Sequence, residues 1–94
     1  MAGYVIVESA ILDAEKFEEY KRAAAPTVAA YGGRYLVRGG AMTVEEGTWH
    51  PRRLVVLEFE SAERARQWIH SPEYQAVKPL RQGAAEFNVV VVEG

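Results

Sequence analysis

Cysteine is absent from the 94 residues, which excludes a disulfide framework, a thiolate metal site and a cysteine nucleophile, and fits a cytoplasmic protein. No basic run occurs and the net charge is −2, so the electrostatic footprint of a nucleic-acid binder is missing. No apolar run is long enough to span a bilayer, so no membrane partner is expected. The opening Met-Ala-Gly-Tyr-Val-Ile-Val has neither the basic start nor the cleavage pattern of a secretion signal. No Gly-x-Ser-x-Gly elbow supports a serine hydrolase. Glycine pairs occur, but not at the dinucleotide or P-loop spacing. The two histidines, His50 and His70, are too far apart in sequence to suggest metal ligands, and no metal is expected.

What is present reads as one folded domain over residues 1–94. Apolar residues make up 49% and charged residues 26%, ordinary for a packed protein and too apolar for a disordered one. The chain turns on Gly32–Gly40, GGRYLVRGG, a short strand closed at both ends by glycine pairs. Strict alternation puts Tyr35 and Val37 on one face and Arg34, Leu36 and Arg38 on the other. Before it, Tyr4–Ile11 is a β-branched run read as the first strand. Asp13 caps a helix with Phe17, Tyr20, Ala24 and Tyr31 at helical spacing, and Pro26 is expected to kink it or split off its last turn.

After it, residues 39–51 are irregular, with Ala41–Val44 a candidate extension of the second strand, and the loop is placed to border a pocket. Leu54–Phe59 is the third strand. Ser61 caps a helix, Ser71-Pro72-Glu73 starts a second short one, and Phe87–Val92 is the last strand. The order βαββαβ gives an α+β, ferredoxin-like arrangement: a four-stranded antiparallel sheet with its helices on one face. The first, third and fourth strands are apolar at nearly every position, whereas a sheet with one wet face alternates. The helices cover one side only, so the other side is expected to meet a second copy in a homodimer.

The run GGRYLVRGG, then Glu46-Gly47, then Phe59, Ala65, Trp68, Ser71, Glu73, Tyr74 and Arg81, closing in Val-Glu-Gly, resembles the domain of unknown function 1330 family over nearly the whole chain. The resemblance implies the dimeric α/β-barrel superfamily, in which two ferredoxin-like subunits join sheets. That superfamily includes cofactor-independent monooxygenases, isomerases, haem-degrading enzymes and stress-response proteins, so it does not select a reaction. The chain departs from the family pattern at Ile69, where the family often has an aromatic residue, so an aromatic pocket wall is not carried over to that position.

The residues themselves nominate a site. Arg38 and Arg81 are the leading substrate-binding candidates, because a guanidinium beside apolar surface can fork onto a carboxylate or enolate. The competing reading makes them structural partners of Glu8, Glu46 or Glu58. Glu46 is the candidate general base and Tyr74 the catalytic or orienting phenol. Tyr20, Tyr31 and Tyr35 offer further phenols, most of them core residues. Trp49 and His50 are placed to close a pocket mouth. His70 is explained by a helix end, although a haem-binding relative would need one axial histidine. Asn88 must find a partner if its side of the strand is buried.

Two functions follow. One is a cofactor-independent enzyme, monooxygenase- or isomerase-like, acting on a small anionic, partly apolar molecule. The other is a non-catalytic dimer that binds a metabolite or serves a stress-related structural role. An enclosed cavity with arginine and carboxylate unpaired favours the first; a filled core with both bridged favours the second.

Overall fold

The structure, a computed structural model, describes residues 1–94. Strand β1 (Gly3–Ile11) leads to helix α1 (Ala14–Ala30), then β2 (Arg34–Arg38), β3 (Leu54–Phe59), helices α2 (Ala62–Ile69) and α3 (Pro72–Val77), a 3₁₀ turn (Lys78–Arg81) and β4 (Ala85–Glu93). The sheet order is β2-β3-β1-β4, and every pairing is antiparallel. The fold is α+β and ferredoxin-like. No helix is long and apolar enough to cross a membrane.

Each helix starts where a side chain can satisfy an orphan backbone donor. Asp13 accepts from the Lys16 amide at 3.1 Å, Ser61 from Arg64 at 3.0 Å and Ser71 from Tyr74 at 3.0 Å. Such a cap stabilises its helix by about 0.5–2 kcal/mol. Helix α1 runs unbroken through Pro26 to Ala30, contrary to the expected break. The proline is exposed in the last turns, while its neighbours Thr27 and Val28 are buried against the core. Packing of those neighbours outweighs the one donor that proline removes. The helix then ends as the sequence predicts: the amides of Gly32 and Gly33 donate to Ala29 and Val28, and Gly32 takes the left-handed φ of 75° that closes such an end.

In β1, Val5, Val7 and Ser9 are buried and alternate with half-buried Tyr4, Ile6, Glu8 and Ala10; β3 repeats this with Val55, Leu57 and Phe59. Those buried residues meet Phe17, Ala24 and Val28 of α1 and Ala65 and Trp68 of α2 in the core. Phe59 stacks on Trp68 at 5.5 Å, and the Trp68 indole N–H donates to Thr27 Oγ1 at 3.0 Å.

Strand β2 corrects the face assignment made from its alternation. Tyr35 is opposite Leu57, Val37 opposite Val56 and Arg38 opposite Val55, with a bulge at Leu36. The extra residue shifts the parity of everything after it. Tyr35 and Arg38 therefore share the helix-covered face with Leu57 and Val55. Arg34 turns to the other face and pairs with Glu58 at 2.7 Å. The expected extension over Ala41–Val44 does not form, and residues 39–53 contain no helix or strand.

The far face carries an apolar band. The registers align Val90, Ile6, Val56 and Val37 across the four strands, with Val92 and Tyr4 one row away. At one end lies the Arg34–Glu58 pair. At the other, Glu8 accepts from Arg52 Nε at 3.2 Å and from Asn88 Nδ2 at 3.0 Å. The partner that Asn88 needs is thus a cross-strand carboxylate.

Candidate functional site

Between the sheet and its helices lies a cavity of about 300 Å³, with Val5, Val7, Val55 and Leu57 in its floor and Phe17, Tyr20, Trp68 and Tyr74 in its roof. Most of its walls are apolar. Its charged walls are all of one sign: Lys21, Arg38, Arg53, Lys78 and Arg81, with no carboxylate. Lys21 is satisfied by Glu18 at 2.7 Å. The other four have no carboxylate partner.

The arginines are held by rings in place of anions. Arg38 lies 4.2 Å from the Tyr35 ring centroid, Arg53 4.9 Å from Phe17 and Arg81 4.0 Å from Phe87. Cation–π contact of this kind fixes a guanidinium while leaving its N–H edge available. Gly39 lets Arg53 lie flat over it: a Cβ there would be 2.6 Å from the Arg53 Nε, and the residue has φ of +74°, where side chains are disfavoured. Burial lowers the Arg53 pKa and the neighbouring Arg38 lowers it further; the group stays a cation in water near neutrality.

A chain of hydroxyls crosses the roof. The hydroxyls of Tyr20 and Tyr74 are 2.8 Å apart, and Arg81 donates to the Tyr74 oxygen at 3.2 Å. Burial is the main cause that pushes the Tyr20 phenol well above its ordinary range, with Tyr74 adding to it. Burial also raises Tyr35, against the opposing pull of Arg38. Both phenols are therefore neutral hydrogen-bonding groups at physiological pH.

Of the residues nominated from sequence, Arg38, Tyr74 and Arg81 come together around this cavity. Glu46, Trp49 and His50 do not: they are exposed on the 39–53 connection and form none of its walls. Backbone bonds tie that connection to the sheet only at its ends, where the Gly39 amide donates to Leu54 and the Ser9 amide to the Arg53 carbonyl. The structural pairings weighed for Arg38 and Arg81 do not form; Glu8 and Glu58 are taken by Arg52 and Arg34. Ile69 lines the cavity beside Trp68, which supplies an aromatic wall. His70 is exposed at the end of α2. No group of three or more His, Asp or Glu side chains is arranged to hold a metal ion.

Arg53, Lys78 and Phe87 escaped the sequence reading. A signal existed for Arg53, because counting back by two from Phe59, Leu57 and Val55 puts it on the same face.

The family model described as a domain of unknown function (DUF1330) matches residues 2–94. The chain belongs to the DUF1330 family. No curated protein matches it. Among solved structures it is similar to a protein of unknown function from Rhodopseudomonas palustris, with 16% identity, TM-score 0.74, and coverage of 99% of this chain and 82% of that one. It is similar in fold to SnoaB, a cofactor-independent oxygenase from Streptomyces nogalater, at 10% identity and TM-score 0.64, covering 99% and 92%. A dimeric ferredoxin-like protein of unknown function from Thermobifida fusca matches at 13% identity and TM-score 0.64, covering 100% and 92%. At these identities the likeness concerns the fold. It places this DUF1330 chain among ferredoxin-like proteins that include an oxygenase.

Proposed function

We propose that the protein is a homodimer whose cavity binds a small anionic, partly apolar molecule and acts on it without a bound cofactor. The observation that carries this reading is the wall composition: four cations without carboxylate partners beside an apolar space of about 300 Å³. Arg53 and Arg81 are half-buried and Arg38 and Lys78 are exposed at the cavity's edge, so an anion entering the apolar space meets positive charge that no carboxylate of the chain already neutralises. Arg38 and Arg81 bind the charge, and Tyr74, linked to Tyr20, hydrogen-bonds a reacting oxygen and passes a proton.

The lining contains no carboxylate or imidazole to act as a base, so the chemistry that fits is that of a molecule already bound as its enolate or phenolate. Arginines stabilise that electron-rich anion. For a monooxygenase the balance closes with dioxygen alone: an activated methylene and O₂ give a carbonyl and water, the electrons coming from the substrate. The described activity of SnoaB supports this branch by analogy of fold only. For an isomerase, the bound enolate takes a proton from the Tyr74 hydroxyl at a different atom, and the resulting phenolate, beside Arg81, is reprotonated from water. The lack of a general base also favours a second reading, a metabolite-binding dimer that releases its ligand unchanged.

The homodimer is supported by the apolar band over Val90, Ile6, Val56 and Val37, ended by ion pairs as an interface core is by a polar rim. It is supported also by the dimeric assembly described for the Thermobifida fusca relative. A cytoplasmic location fits the cysteine-free sequence.

A thermal-shift screen over small carboxylates and phenols tests the site. Compounds that stabilise the parent should lose roughly ten- to hundredfold in affinity in Arg38→Ala or Arg81→Ala, the worth of a hydrogen bond to a charged group. No stabilising compound, or variants that respond as the parent does, would remove the assignment. Oxygen uptake with a binding phenol separates turnover from binding alone.

A further inference from the structure

The cavity's cations fall into two groups of different chemistry. Arg38 is opposite Val55 on the second and third strands, and Arg53 is two residues before Val55 on the same face. Such diagonal neighbours have backbones roughly 7–8 Å apart. Neither guanidinium has a side-chain hydrogen-bond acceptor; each rests only on a ring. This end offers two charges and free N–H edges, the complement of a carboxylate.

The other end is built differently. Arg81 stacks on Phe87 of β4 and is already committed to the Tyr74 oxygen, which meets the Tyr20 hydroxyl. Its charge is shared into a phenol pair that can both donate and accept, the complement of a hydroxyl or an enolisable carbonyl. Arg38 belongs to the edge strand β2 and Arg53 leads into its inner neighbour β3, whereas Arg81 stacks on the opposite edge strand β4. In the order β2-β3-β1-β4 the two ends are thus two to three inter-strand steps apart, roughly 10–14 Å. Between them the floor is Val7 and Val55.

Resting on the reading of this cavity as an anion site, we infer that it is two-ended and takes a flat, conjugated molecule with a carboxylate at one end and a hydroxyl or enolisable carbonyl at the other. The carboxylate sits at Arg38 and Arg53, and the oxygen sits at Tyr74 and Arg81. Size agrees: an apolar cavity of roughly 150 Å³ takes a single benzene ring, so about 300 Å³ accommodates a scaffold of about two rings.

The test measures calorimetric affinities of three probes on the same scaffold: naphthoate, naphthol, and a hydroxynaphthoate with its two groups at opposite ends. The parent should bind the hydroxynaphthoate at least roughly tenfold more tightly than either single-ended probe. Arg53→Gln should weaken naphthoate and hydroxynaphthoate but not naphthol. Tyr74→Phe should weaken naphthol and hydroxynaphthoate but not naphthoate, whose retained binding also reports that the variant folds. Equal affinity of naphthoate and hydroxynaphthoate for the parent, or uniform weakening of all probes in both variants, overturns the two-ended site and leaves a simple anion site standing. Failure of every probe to bind the parent overturns the anion site as well.

Discussion

The Tyr20–Tyr74 pair can be tested as a unit before any ligand is known. In Tyr20→Phe the Tyr74 oxygen keeps its bond from Arg81 at 3.2 Å, so only one ordinary hydrogen bond is lost, at about 1 kcal/mol. Tyr74→Phe is harsher. It strands the Tyr20 hydroxyl, whose only hydrogen-bond partner is Tyr74, on a side chain just 7% exposed, and it leaves Arg81 without its acceptor. A stranded buried group costs about 1–3 kcal/mol, which puts this variant at about 2–3 kcal/mol. The double variant removes both hydroxyls and leaves two rings that pack without an orphan, so it should cost no more than Tyr74→Phe alone. The single costs then exceed the double cost by about 1–2 kcal/mol, a coupling typical of neighbours in one network. Urea unfolding of all four proteins at one protein concentration reads this out, since the stability of the proposed dimer depends on concentration. In a domain of this size 1 kcal/mol shifts the melting temperature by roughly 4–8 °C, so thermal melts give a second measure. Additive costs would show that the hydroxyls are not joined, and the proton path through the roof would go with them.

Two further outcomes follow from the far face. Glu8 is held down from 4.5 to about 2, chiefly by the side-chain bond from Arg52, with the Arg52 amide and Asn88 contributing. Because the folded value lies below the unfolded one, its stabilisation is present above the unfolded value and fades as pH falls from 4.5 towards about 2. The urea midpoint should drop across that window in the parent and drop less in Glu8→Gln; parallel curves would count against the assignment. Val56→Asp puts a charge at the centre of the apolar band, and sedimentation velocity at micromolar concentration should show the proposed dimer for the parent and a folded monomer for the variant. An unchanged dimer would mean that copies meet elsewhere.

The element order was readable because each boundary has a local chemical cause: Asp13, Ser61 and Ser71 as caps, Gly32 and Gly33 as a stop, and β-branched runs between. The surplus apolar side of the sheet was readable for a related reason, since β1 and β3 lack the polar alternation of a wet face. Pro26 misled because intrinsic cost is local, whereas the burial of Thr27 and Val28 that overrides it comes from the sheet. Arg38, Tyr74 and Arg81 could be nominated by residue type. Their common location depends on three elements separated by dozens of residues, and no spacing rule encodes that. Glu46, Trp49 and His50 looked suited to a pocket mouth because irregular loops often border sites, yet composition cannot say toward which side of a sheet edge a loop turns.

The Leu36 bulge links the two faces of the sheet. The sheet has two faces, one closing over a cavity and the other carrying the apolar band proposed to meet a second copy, and parity along each strand decides which side chains serve which. Without an extra residue, the register set by Tyr35 opposite Leu57 would put Leu36 beside Val56, Val37 over the cavity beside Val55, and Arg38 on the outer face beside Leu54. A cation there would oppose the proposed pairing with a second copy, and the cavity would lose one of its cationic walls. With the bulge, Val37 completes the band and Arg38 faces Val55 from the cavity side. One inserted residue at an edge strand thus serves both faces at once, at the modest cost of an interrupted ladder. It also explains how a strand of only five residues, RYLVR, can contribute Arg34 to a rim ion pair, Val37 to an apolar face, and Tyr35 and Arg38 to the cavity, a division that strict alternation does not permit.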